Sequence, residues 1–171
     1  MYEMTPHPLF DLLVDHVLVA SENPFIATVA LTDPQPVSVN RLYRNGKHAG
    51  EKVLTREGAA YKDGLSKAMT RASFEWKKAI DLVYQEGRGA TLLVVLYFEQ
   101  LRNKSWKPGA RTETGNLQNP FLIRDASNYI KVIEDGVSEG IGINDCNNTN
   151  ILIAKAEDPR RPRTELAYIV A

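Results

Sequence analysis

The sequence predicts an α/β (α+β) fold. The expectation is one small domain on a mixed sheet of about four strands, with two main helices in the order β-α-β-α-β-β and an apolar extension in front. Three observations carry this prediction. Short apolar or alternating runs at four places read as strands, and two longer stretches keep helical spacing. At 171 residues the chain is long enough for one substantial core and too short for two comfortable ones. Residues 1–24 are expected to be an extension packing on a domain of residues 25–171.

Taken in order, Pro8 to Ala20 is densely apolar, with Asp11 and Asp15 four residues apart. That spacing favours a short helix, while the β-branched tail also suits a strand. Phe25–Thr32 alternates as a strand and is stopped by Asp33-Pro34-Gln35-Pro36. Val37–Lys52 is loop-like, with a turn at Asn45-Gly46 and Arg41 and Arg44 either side of Tyr43. Thr55 suits the cap of a long helix running to about Tyr84, ended by Gly87 and Gly89. Thr91–Phe98 is almost continuously apolar, as the middle strand of a sheet is.

The stretch 101–121 has no period and sets four bases around Trp106, whose indole suits either base stacking or pinning of the loop. A helix over Ser127–Glu139 follows, with Ile130, Ile133 and Val137 as its apolar stripe. Thr149–Glu157 and Glu165–Ala171 read as two strands joined by a hairpin at Asp158–Arg163.

Composition narrows the function classes. The chain is 43% hydrophobic and 25% charged, typical of a globular domain. No run reaches the roughly 18 apolar residues of a membrane span, and no basic segment opens a secretory signal. The expected location is the cytoplasm. Cys146 is the one cysteine, so an internal disulfide and a cysteine-built zinc site are excluded. His7, His16 and His48 have no partner at metal-binding spacing.

Net charge is zero, but the charges are segregated. Residues 1–33 hold five acids and no base. Residues 38–71 hold eight bases against three acids, and 101–112 add Arg102, Lys104, Lys107 and Arg111 with no acid. Charge runs are usually solvated faces, yet a cationic face on a neutral molecule is also what phosphate contacts require.

The chemistry concentrates at Arg124–Asp145. Ser127, Lys131 and Asp135 recur at four-residue steps and share one helix face. If the Gly-rich turn after Gly140 folds back, Asp145 returns toward Asp125 at the helix start. Two converging carboxylates beside an ammonium suit a divalent cation and a phosphate. The plainer reading is a capped helix start, a solvated Lys131/Asp135 pair and an ordinary Asx turn.

Two motifs occur together. Pro36-Val-Ser-Val-Asn40-Arg41-Leu-Tyr43-Arg44 followed by Leu54-Thr55-Arg-Glu-Gly58-Ala-Ala-Tyr61 resembles the opening of RusA-type Holliday junction resolvases of phages and prophages. Asp125-Ala-Ser-Asn128-Tyr-Ile-Lys131-Val-Ile-Glu-Asp135, closing at Gly142-Ile-Asn-Asp145, resembles that family's acidic motif, helix and final acid. The resemblance spans about residues 25–171.

It implies a homodimeric, Mg²⁺-dependent endonuclease (Mn²⁺ substituting) that cuts four-way DNA junctions in recombination, repair or phage DNA processing. By position, Asp125 and Asp145 are the implied metal ligands, with Asp135 a further candidate, and Lys131 is the catalytic lysine. Ser127, Asn128 and Asn144 are supporting residues. DNA contacts are expected from Asn40, Arg41, Arg44, Lys47, Lys52, Lys104, Trp106, Lys107 and Arg111.

The chain departs from the pattern twice. Ser127 stands where Asp-x-Asp-Asn has its second acid, and Asn144 stands where Asp-Asp has its first. Fewer carboxylates mean weaker cation binding and more water ligands unless Asp135, Glu134 or neutral oxygens compensate. The alternative is therefore a non-catalytic branched-DNA-binding protein with a degenerate metal site.

Overall fold

The computed structural model describes residues 8–18, 24–31, 42–48, 50–122 and 127–170, the side chains of 27, 31, 73–75, 127 and 128 excepted. Asn40, Arg41 and Asp125, and the side chains of Ser127 and Asn128, lie outside the described residues. The chain runs α1 (Pro8–Leu18), β1 (Phe25–Leu31), β2 (Tyr43–Asn45), β3 (Lys52–Leu54), α2 (Arg56–Arg71) and α3 (Ser73–Glu86). It continues through β4 (Ala90–Phe98), α4 (Ser127–Ile141), a 3₁₀ turn (Asp145–Asn147), β5 (Asn148–Glu157) and β6 (Arg163–Val170).

The mixed sheet has the order β1-β6-β4-β5, with β4 parallel to β5 and antiparallel to β6. β4 is central because both its faces are apolar. Leu92, Val94, Leu96 and Phe98 join the core under α2, α3 and α4, while Leu93, Val95 and Tyr97 meet Phe10 of α1 on the opposite face. The front segment is thus helical to Leu18, and its Asp11 and Asp15 remain on the exposed side.

The expected hairpin between the last two strands is not formed. β5 and β6 flank β4 on opposite sides, and the connection crosses the end of β4, where the Asp158 N–H donates to the Phe98 carbonyl at 2.9 Å. Pairing β5 with β6 would have left one long edge of apolar β4 without a ladder, so the central strand takes both as neighbours.

The single long helix expected from Thr55 is two. Thr55 does cap, its hydroxyl accepting the Gly58 N–H at 3.1 Å, but Ala72 separates α2 from α3. The Thr70 hydroxyl donates to Ser66 O (2.9 Å) and Gly140 O (3.2 Å), a back-bond of the kind that bends helices. The supposed loop over 37–52 holds the small hairpin β2/β3, Asn45 pairing Lys52 around the Asn45-Gly46 turn.

α4 lies against α2 at close range. A Cβ at Gly140 would stand 2.5 Å from both Met69 Cβ and Ser66 O, and one at Gly136 would stand 2.9 Å from Leu65 Cβ. Its buried face is Tyr129, Val132, Ile133, Val137 and Ile141. Ile130 sits half-buried at the flank, one step off the stripe read from spacing.

Candidate metal centre and nucleic-acid surfaces

Helical spacing places Lys131 and Asp135 on the outer face of α4 because Tyr129, Val132, Ile133 and Val137 take the inner one. Gly142, at φ 75°, then reverses the chain, its N–H closing on Ser138 O at 2.9 Å. The returning segment buries Ile143 and runs back along the helix, and Asn148 at the start of β5 donates to Glu134 Oε1 at 3.3 Å.

That return brings Asp145 to Lys131. The ammonium stands 2.8 Å from Asp135 Oδ1 and 2.7 Å from Asp145 Oδ2. Both carboxylates are about one-third exposed and the lysine more so. Hydrogen bonds to Asp135, then Asp145, hold the ammonium well above lysine's ordinary range. The Lys131 hydrogen bond and charge hold the Asp145 carboxyl below its own. Those two shifts, in opposite directions, keep the Lys131 ammonium and the Asp145 carboxylate charged at neutral pH.

The turn carrying Asp145 is fixed from two sides. Asn144 Oδ1 accepts the Cys146 N–H at 3.0 Å, so this residue serves as the cap of the 3₁₀ turn. Tyr84, on the last turn of α3, accepts the Asn144 N–H at 3.0 Å. Nothing in the spacing pointed to Tyr84, because the contact spans 60 residues. Tyr43 of β2 also faces the cluster. Burial, then the Asp135 charge, raises its hydroxyl pKa, with Lys131 opposing.

The unperiodic stretch 101–121 forms an ordered arm. Bridges pair Arg102 with Phe121 and Arg111 with Leu117, and the Trp106 indole N–H donates to Gln118 O at 3.1 Å. Trp106 therefore pins the arm while remaining 37% exposed. Lys104, Lys107 and Arg111 are exposed on it, Arg111 donating to Gly115 O at 2.6 Å. Arg44, Lys47 and Lys52 are exposed on the β2/β3 hairpin, Lys52 bonded to Asn45 at 2.8 Å. Glu157 Oε2 accepts the N–H groups of Leu101 (2.7 Å) and Arg102 (2.9 Å), rooting the arm at the far end of β5. The ten residues of β5 set that root roughly 30 Å from the turn of Asp145 at strand rise. Hairpin and α4 cluster are neighbours, whereas the arm's root is remote from both acids.

No known family profile matches this chain, and no curated protein does. Among solved structures, 2C-methyl-D-erythritol-2,4-cyclodiphosphate synthase in its CDP-bound form is similar at 11% identity, covering 87% of this chain and 99% of that one. Its TM-score of 0.29 is too low to bear on fold or activity. No described helix is long and apolar enough to cross a membrane.

Among the described residues no three acidic, histidine or cysteine side chains gather as a metal-binding group. Asp135 and Asp145 converge on one positive atom, the Lys131 ammonium.

Proposed function

We propose that the chain is a metal-dependent, structure-selective DNA endonuclease that acts as a homodimer on four-way junctions. The observation that carries this reading is the meeting of Asp145 with Lys131 and Asp135, three residues that the RusA-like motifs single out. Asp125 and Asp145, assisted by Asp135, would hold the cation. When bound, it lowers the pKa of a water and offsets charge developing on the phosphate. Lys131 sets a fixed positive charge where the scissile phosphate gains negative charge, favouring the transition state over the ground state. Arg44, Lys47 and Lys52, on the neighbouring hairpin, hold the backbone beside the acids, and the arm's bases reach a more distant part of the junction. Two strands must be cut and one domain offers one site, so a dimer follows from the mechanism.

The test is cleavage of a synthetic four-way junction with Mg²⁺ by the wild type, Asp125→Asn and Asp145→Asn. Each variant is expected to lose at least about 100-fold in rate. Equal cutting by all three proteins removes the site assignment.

A second reading is a non-catalytic junction-binding protein. It is favoured by one observation: Asn144, where the motif has an acid, commits its side-chain oxygen to capping the turn. Tight junction binding with no Mg²⁺ or Mn²⁺ uptake in calorimetry would select it.

A further inference from the structure

We propose that the arm over residues 101–122 is a contact surface for unpaired nucleobases, with Phe121 and Trp106 meeting base faces and the arm's cations meeting the phosphates between them. This rests on reading nucleic acid as the ligand of the chain, and not on a cation at the acids. Of the six exposed large apolar side chains among the described residues, three belong to this arm: Trp106 at 37%, Leu117 at 67% and Phe121 at 50%. Arg102, Lys104, Lys107 and Arg111 are exposed beside them, against the single acid Glu113.

The backbone of the arm holds these side chains where they are. Leu122 N–H donates to Leu101 O and Asn103 N–H to Pro120 O, each at 2.9 Å, and Gln118 N–H donates to Ala110 O at 2.8 Å. Two legs are thus laced together, with Leu101 at the root packed on the core. The Trp106 indole reaches Gln118 O at 3.1 Å, so it lies against the leg that carries Leu117 and Phe121. Apolar groups grouped in water on an ordered element cost free energy and mark an interaction surface.

Charge selects the occupant. A second copy of the arm would set four cations against four, which like-charge repulsion opposes. A duplex offers phosphates but hides its base faces in the stack. Unpaired bases, in a single strand or at a branch point, present a face for each ring and a phosphate for each neighbouring cation. The root of the arm lies the length of β5 away from the turn of Asp145, so this contact selects the form of the DNA without touching the phosphate beside the acids.

The experiment measures binding of the full-length protein to a short oligothymidine, to a blunt duplex of the same length and to a synthetic four-way junction, for the wild type, Phe121→Ala, Phe121→Trp and Lys104→Ala. The bridge between Phe121 and Arg102 is made by backbone groups, so it survives both substitutions at 121. Phe121→Ala is expected to weaken oligothymidine binding at least about fivefold with duplex binding within about twofold, and Phe121→Trp, which keeps a ring, to stay within about twofold of wild type on both. Lys104→Ala is expected to weaken single strand and duplex alike. Unchanged oligothymidine binding in Phe121→Ala, equal loss on single strand and duplex, or a loss in Phe121→Trp as large as in Phe121→Ala overturns the proposal. Wild type that binds the junction but not oligothymidine overturns it too and leaves the junction reading standing. A self-association of the protein that Phe121→Ala abolishes, with oligothymidine binding unchanged, assigns the arm to a second copy and likewise overturns it. Absence of binding to all three DNAs overturns the proposal and the proposed function together.

Discussion

Arg163 is the residue on which the second face of the sheet turns. Its side chain is 6% exposed and that of Glu165 3%, with Nε 2.8 Å from Glu165 Oε1 and Nη1 2.6 Å from Asp158 Oδ2. The guanidinium carbon lies 3.9 Å over the Tyr97 ring. Asp158 also accepts the N–H groups of Arg160 and Arg161, so the cluster ties down the crossing from β5 to β6. Arg163→Met would strand a buried carboxylate and is expected to cost about 3–5 kcal/mol in urea unfolding, much of it recovered by adding Glu165→Leu.

Acid is a second probe of the same residues. Burial works against ionisation of Asp158, but the Arg163 bond and the two amides outweigh it and hold its pKa below the ordinary 3.8. A depressed carboxyl pKa contributes stability that is present above 3.8 and is lost as pH falls through the lower folded value. Asp158→Asn should therefore flatten the acid limb of the unfolding curve below about pH 4. An unchanged limb would show that the carboxylate contributes nothing there.

At the scale of elements, the α2–α4 crossing and the docking of α1 are the contacts to test. Alanine is favoured over glycine in a helix by about 1 kcal/mol. At Gly140, however, the new methyl meets the Ser66 carbonyl at 2.5 Å, and forced overpacking costs about 1–3 kcal/mol. The clash should win, so Gly140→Ala is expected to lower the thermal midpoint. Phe10, 3% exposed, joins α1 to Leu93, Val95 and Ile169. Phe10→Ala is expected to cost about 3–5 kcal/mol and to expose that face to a hydrophobic dye. The four strands of the main sheet and α4 were legible because their apolar patterns are local, whereas β2 and β3 lie in a stretch that read as loop. The break at Ala72 was not legible, because Thr70 reaches Gly140 on a different helix and no spacing within α2 records that contact.

For the molecule as a whole, charge is zero in sum and segregated along the chain. The bases of 101–112 stand on an arm rooted at Glu157, and those of 38–71 include the hairpin beside the acids. If both grip DNA backbone, Lys104→Ala and Lys107→Ala should each weaken junction binding across sequences and lower the salt slope by about one. Asp145→Asn should leave binding intact while cutting is lost. Binding curves at two salt concentrations separate these outcomes.

By itself, the chain's order of residues determined the α+β class, a central Thr91–Phe98 strand and the shared face of Lys131 and Asp135. These follow from side-chain periodicity, which neighbours in sequence enforce. Only the tertiary structure decided that β6 lies between β1 and β4, that α1 covers the second face, and that Asp145 returns to Lys131. Those choices are made between apolar surfaces of similar strength, and long-range pairing across the core selects among them.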